Sequence, residues 1–153
     1  MLLCYKEKFV IEASSFKNYS FFGGLVPEEI DAIRPLMITA SYGEGVEILR
    51  EGEPNDRIHF ILEGEVAIEK DGVRLAHLKE GDTFGEMEFL DVMPAVATVR
   101  VLSPATVSTI SNRALHELYK ANTRVFAMVV MNLARDLSRR LRRMDDIVAK
   151  NAI

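Results

Sequence analysis

The 153-residue sequence predicts a mainly β protein: an antiparallel β-roll, jelly-roll-like, flanked by short N-terminal helices and one long C-terminal helix. Three observations carry this. Apolar residues alternate with a period of two between about residues 37 and 111, the pattern of half-buried strands. Gly, Asp, Asn and Pro clusters interrupt the alternation at short intervals. After Ser111 the apolar period becomes helical and stays so.

The elements follow in order within one expected domain, residues 1–153. Residues 1–36 form an N-terminal helical segment. Its first twenty residues read only weakly as helix, and Phe21-Phe22-Gly23-Gly24-Leu25 breaks the chain. Pro27-Glu28-Glu29-Ile30 then opens a short helix, with Pro suited to its first turn and two acids at its positive end. Pro35 limits its length. Residues 37–111 are the roll. Its strands centre on Val46 and Ile48, on Ile58, Phe60 and Leu62, on Val66 and Ile68, on Val73 and Leu75, and then on Val99 and Val101 and on Val107 and Thr109. Gly64 and Ser103-Pro104 are read as turns between them, and Asp71-Gly72 as a two-residue hairpin, because both residues tolerate positive φ. Short strands with regular turns point to a closed or two-layered roll. Residues 112–153 are helical, with Ser111 or Asn112 capping one helix and Asn122 or Thr123 capping a longer one to about Ile147.

Composition narrows the class. A hydrophobic fraction of 48% and a charged fraction of 27% suit a soluble domain that buries its own core. No apolar run reaches the roughly 18 residues of a membrane span, and the N-terminus does not read as a signal peptide. Cys4 is the only cysteine, which excludes an intrachain disulfide and suits a reducing cytoplasm. The net charge of −4 divides unevenly: residues 112–153 carry nine Lys/Arg against four Asp/Glu, and the rest is acidic. His59, His77 and His116 are singletons without ligand spacing, so no metal is expected.

The long helix carries an apolar stripe of Phe126, Val130, Leu133, Leu137, Leu141, Met144 and Val148, at spacings of 4, 3, 4, 4, 3 and 4. That is an eleven-residue period, the mark of a nearly straight helix pair. The stripe runs past what one small roll covers, so a homodimer seam is expected. Arg139, Arg140, Arg142 and Arg143 flank Leu141 and read as a solvated face or as partners of acidic neighbours, with nucleic acid as the alternative.

The chemistry concentrates in Gly81-Asp82-Thr83-Phe84-Gly85-Glu86-Met87-Glu88-Phe89-Leu90, followed by Pro94-Ala95-Val96-Ala97-Thr98-Val99. This stretch resembles the phosphate-binding cassette of cyclic-nucleotide-binding domains, the sensory half of Crp/Fnr-type regulators. Gly45–Pro54 and Ile58–Val66 resemble that family's first strand and turn and its following strand pair. The resemblance covers about residues 21–145. It implies a ligand site at Phe84, Gly85, Glu86, Met87, Glu88, Ala95, Val96, Ala97 and Thr98. Gly85 matches the glycine that lets backbone approach the ligand, and Glu86 the carboxylate that accepts from the ribose 2′-hydroxyl. Ala97 and Thr98 lie at the far side of the phosphate. His59 falls where the family usually has an aromatic.

Two positions depart. Ala95 stands where the family has the arginine that pairs with the phosphate, and Glu88 where it has a small residue whose N–H faces the phosphate. Arg100 is no obvious replacement, because the family often carries an arginine there too. Truncating one partner of a buried, hydrogen-bonded charge pair costs about 2–5 kcal/mol. That is roughly 30-fold to several thousand-fold in affinity. Weak or absent binding of cyclic AMP and cyclic GMP is therefore expected. No enzyme is expected either, since Glu86 and Glu88 two residues apart are little ground for acid–base catalysis.

Two readings stay open: a sensor for another nucleotide-like ligand, or a pseudo-sensor acting only as an interaction and dimerisation scaffold. A signalling protein is the other expected partner. The helix-turn-helix domain that follows this helix in Crp/Fnr regulators is not seen before Ile153, so sequence-specific DNA binding is not expected.

Overall fold

The computed structural model describes residues 19–152; the weak helical reading of the first twenty residues falls almost wholly outside them, as does Cys4. Six antiparallel strands form the roll: β1 (Ile38–Tyr42), β2 (Glu47–Leu49), β3 (Arg57–Lys70), β4 (Val73–Lys79), β5 (Thr83–Phe84) and β6 (Thr98–Ser111). The order is β1-β6-β3-β4, with β2 also on β6 and β5 also on β3. The helices are α1 (Pro27–Ile33), α2 (Glu86–Asp91), α3 (Asn112–Ala121) and α4 (Thr123–Asn151). The predicted mainly β class, with helices at both ends, is what the structure shows.

The Asp71-Gly72 hairpin forms as predicted. Lys70 pairs with Val73 across it, and both turn residues have positive φ, 51° and 76°. Gly64 and Ser103-Pro104, in contrast, are bends inside continuous strands rather than turns. β3 and β6 each run 14 residues and pair along most of their length, with register shifts where the two bends face each other. Gly64 is held at φ 91° with its missing side chain aimed at Pro104 O, where a Cβ would sit at 2.4 Å. No other residue fits there without moving the facing backbone.

Both faces of β3 are buried over Ile58–Ile61. Ile58 and Phe60 join Phe21, Phe22, Leu115 and Val129 in a core between roll and helices, whereas Ile61 joins Val66, Val101 and Val107 inside the roll. Phe21 meets Phe60 edge to face at 4.3 Å.

Ser111 caps α3 by accepting the Ala114 N–H at 3.1 Å, and Asn122 caps α4 by accepting from Val125 at 3.2 Å. The stripe of α4 that packs on the domain lies one residue ahead of the predicted seam. Val125, Val129, Asn132 and Leu133 are its buried residues. Buried Asn132 donates to Phe21 O at 2.9 Å and Gly23 O at 2.8 Å, and Ser20 donates to Asp136 at 2.5 Å. Arg124 pairs with Glu29 of α1. Of the predicted seam, Leu133 belongs to the protein's own core, and Phe126, Val130 and Leu137 are half-buried. Leu141 and Val148 are each 63% exposed and Met144 44%.

Candidate functional site

α2 starts directly after β5 and is preceded by Gly85 at φ 81°. A Cβ on Gly85 would meet Asn55 Nδ2 at 2.7 Å, Arg57 O at 2.8 Å and His59 Nδ1 at 3.0 Å. Asn55 Nδ2 donates both to Gly85 O and to Arg57 O, at 3.1 and 2.9 Å. The glycine is therefore required by the left-handed backbone and by the adjoining strand, independently of any ligand. Phe84, which precedes it, is buried and stacks on His59 with ring centroids 4.6 Å apart.

A cavity of about 350 Å³ opens between the roll, α2 and the distal part of α4. Its walls are largely apolar, including Leu49, Leu78, Phe84, Val99, Met144 and Ile147. Gly85, Glu86, Met87, Glu88, Val96 and Ala97 contribute from the predicted cassette, and Arg140 and Arg143 from α4. Ala95 and Thr98 are not in its wall.

The two cassette carboxylates are both buried, Glu86 at 3% and Glu88 at 6% exposure. Glu86 Oε1 accepts from Arg140 Nη1, while Arg140 Nη2 donates to Thr83 O. The guanidinium thus bridges strand and helix in the fork geometry that suits arginine. Glu86 Oε2 has no hydrogen-bond partner. Burial pushes the Glu86 carboxyl above its usual range, and Arg140 opposes this only in part. Glu88 Oε1 accepts the Val96 N–H across the cassette at 3.0 Å. Met87 and Val96, which could have filled the cavity, are 45% and 40% exposed.

The Pro94–Thr98 loop is fixed from outside. Ala95 is buried, its N–H donates to Glu53 O at 2.9 Å, and its O accepts from Gly52 N at 2.8 Å. Thr98 Oγ1 accepts the Glu51 N–H at 3.1 Å, and Lys70 donates to Val96 O at 2.8 Å and to Glu51 at 2.7 Å. Arg100 is held by Glu47 and Glu69, at 2.9 and 3.3 Å, and does not line the cavity.

His59 is 5% exposed, and burial lowers its pKa to about 4, so it is neutral at physiological pH. Among the described residues no group of three or more His, Cys, Asp or Glu could hold a metal ion, and no helix is long and apolar enough to cross a membrane.

This arrangement, a glycine-led turn into a short helix beside a strand-bounded loop, coincides with a known pattern. The cyclic nucleotide-binding domain family matches residues 39–122. The chain belongs to this family. Its relatives include the cAMP-dependent protein kinase regulatory subunit of Debaryomyces hansenii, 31% identical over 67% of this chain and 23% of that protein. The cyclic AMP receptor protein of Thermus thermophilus is 29% identical over 84% of this chain and 60% of that protein. The chain therefore spans about a quarter of the fungal regulator it matches. Of solved structures, a cyclic nucleotide-binding domain from Methylobacillus flagellatus superposes with a TM-score of 0.85 at 25% identity, covering 93% of this chain and 83% of that one. A regulatory subunit of a cAMP-independent protein kinase A from Trypanosoma brucei superposes with a TM-score of 0.69 at 23% identity, covering 80% and 44%. That structure is of a variant with Glu to Ala, Thr to Arg and Val to Ala substitutions, bound to cAMP in its A site.

Asn132 and Asp136 of α4 went unread in the sequence, and Arg140 was read only as part of a basic run that is solvated or pairs with acidic neighbours. Asn132, Asp136 and Arg140 succeed one another at intervals of four and lie on one face of the helix. The available signal was that Asn132 follows Val125 and Val129 on the face that packs against the domain.

Proposed function

We propose that this chain is a non-enzymatic regulatory module of the cyclic nucleotide-binding family whose pocket answers to a ligand other than cyclic AMP or cyclic GMP. The observation that carries this is the Glu88–Val96 hydrogen bond. A buried carboxylate is fixed by the Val96 N–H across the cassette, so a negative charge already stands at that end of the pocket. Ala95 offers no cation there, and the arginines nearest the cavity come from α4. A phosphate oxygen about 4 Å from that carboxylate would meet a repulsion of about 4 kcal/mol at an effective dielectric of 20.

The Trypanosoma brucei variant supports the same reading. Its threonine-to-arginine substitution lies seven residues after the glutamate-to-alanine one, and its valine-to-alanine substitution directly follows. Glu88, Ala95 and Val96 have that same spacing. Isothermal titration of cyclic AMP and cyclic GMP against the wild type and a Glu88→Ala/Ala95→Arg/Val96→Ala variant tests the proposal. Binding weaker than about 100 μM is expected for the wild type, and a gain of at least about 30-fold for the variant. Low-micromolar binding to the wild type would overturn it.

The open cavity favours a ligand over a pure scaffold, since Met87 and Val96 line it yet leave it unfilled. The exposed Leu141, Met144 and Val148 support a homodimer through the distal half of α4. The charged remainder of that half would then lie at the rim of the contact.

A further inference from the structure

We propose that Lys70 sets the specificity of the pocket without entering it: from outside the cavity it pins the main chain of Val96, and through Val96 it keeps the Glu88 carboxylate at the cavity wall. This rests on the reading above that the negative charge of Glu88 turns cyclic mononucleotides away.

β3 ends at Lys70, one residue past the Glu69–Thr98 pair that joins it to β6. The lysine side chain is thereby brought to the exit of the Pro94–Thr98 loop. Its Nζ donates to Val96 O at 2.8 Å and to Glu51 Oε1 at 2.7 Å. The N–H of the same Val96 donates to Glu88 Oε1 at 3.0 Å. Both main-chain polar groups of Val96 are therefore held by charged side chains, one from the end of β3 and one from α2. Hydrogen bonds with an ionised partner are the stronger kind. Glu51 closes the arrangement. Its carboxylate holds Lys70, and its own N–H donates to Thr98 Oγ1 at 3.1 Å, two residues beyond Val96. The pair sustains its charges, because the hydrogen bond between them raises the Lys70 pKa and lowers that of Glu51.

Lys70 does not line the cavity, so it acts on a ligand only through the loop. It is a positioning residue. Among the described residues it is the only cation hydrogen-bonded to that loop. Ala95 supplies no cation from within, so the loop is ordered from behind rather than on a bound anion. Glu88 is 6% exposed, and its carboxylate leaves the cavity wall only by giving up the Val96 donor. A pinned Val96 does not follow it, so the departure leaves a buried N–H without a partner. Once Lys70 lets go, Val96 turns with Glu88 and that obstacle falls.

Two measurements test this. Amide hydrogen exchange of the unliganded 153-residue chain, followed by NMR, reads the clamp. Lys70→Met should speed exchange at Val96 by about fivefold or more, with Val101 in β6 unchanged. Lys70→Arg should restore the wild-type rate, because a guanidinium also donates to a carbonyl and a carboxylate together. Isothermal titration with cyclic AMP reads the specificity. In Ala95→Arg, which keeps Glu88, adding Lys70→Met should tighten binding by about fivefold or more. In Glu88→Ala/Ala95→Arg the same substitution should bring a small loss, since it removes only a cation that water screens. A lysine that merely braces the fold moves both backgrounds alike. Unchanged exchange at Val96, no gain beside Glu88, or equal effects in the two backgrounds overturns the proposal. If the wild type binds cyclic AMP at low micromolar concentration, the reading of Glu88 falls and the specificity role of Lys70 with it, whatever the exchange rate at Val96.

Discussion

Replacing Arg140 with methionine keeps the aliphatic bulk of the side chain and removes the guanidinium that joins α4 to the cassette. Glu86 is left buried, with a side-chain exposure of 4%, facing no cation. Breaking a buried ion pair from one side costs about 3–5 kcal/mol. Arg140 itself is 26% exposed, which places the loss near the lower figure, about 3 kcal/mol at pH 8. The loss should depend on pH, and its sign follows from Glu86. Burial already raises that carboxyl in the wild type, and removing Arg140 takes away the charge that opposed the rise. The native variant then holds a proton that the unfolded chain releases above about pH 4.5. Its stability is full below that pH and is lost as pH rises, by up to about 1.4 kcal/mol per unit until the raised pKa is passed. Urea unfolding at pH 8 and pH 5 reads this directly. The midpoint should fall by about 2 M at pH 8 and by much less at pH 5. Adding Glu86→Gln to Arg140→Met should recover most of the loss at pH 8, giving a large coupling in the double-mutant cycle. A loss below about 1 kcal/mol that is equal at both pH values, or a double variant no more stable than the single one, would refute the argument.

Three other outcomes are expected. Because the pKa of His59 is about 4 in the fold against an ordinary 6.5, the unfolded chain binds the extra proton between these values. Stability therefore falls as pH drops from 6.5 to 4, by about 3 kcal/mol, and thermal melts of His59→Phe should lack this component. Gly85→Ala forces a side chain into positive φ and against Arg57 O, so its melting temperature should fall by at least about 5 °C. Leu141→Lys combined with Val148→Lys should shift the particle from dimer to monomer by light scattering, with the melting temperature of the monomer within about 2 °C of wild type.

The period-two alternation and the Asp71-Gly72 pair made most of the roll legible, because a strand with one buried face writes its period directly into the sequence. The bends at Gly64 and Pro104 were not legible as bends. A Gly or Pro looks like a turn until the strand opposite is known, and here each bend exists to accommodate the other. The cassette was recognisable position by position, and Glu86, Glu88, Val96 and Ala97 line the cavity. The orientation of Glu88 was not recoverable, since its donor, the Val96 N–H, comes from eight residues along and only the closed loop brings the two together. The α4 stripe was displaced by one residue for a related reason. A search for apolar residues passes over Asn132, Asp136 and Arg140, which face the domain through hydrogen bonds rather than through greasy contact.

Those three residues have a mechanical consequence. Asn132 grips the N-terminal 3₁₀ turn, Ser20–Phe22, and Arg140 grips the cassette two turns later. Beyond Arg140 every described residue of α4 is exposed. From Asn132 to Asn151 the helix extends about 28 Å, at about 1.5 Å per residue. With Asn132 as fulcrum, Asp136 held beside it by Ser20 and Arg140 as the outer bearing, a ligand that draws Glu86 away from Arg140 would free a long arm from the outermost of its three supports. A swing of only about 10° at the fulcrum would carry the far end about 5 Å, so the smallest rearrangement at the cassette is magnified where Leu141, Met144 and Val148 project.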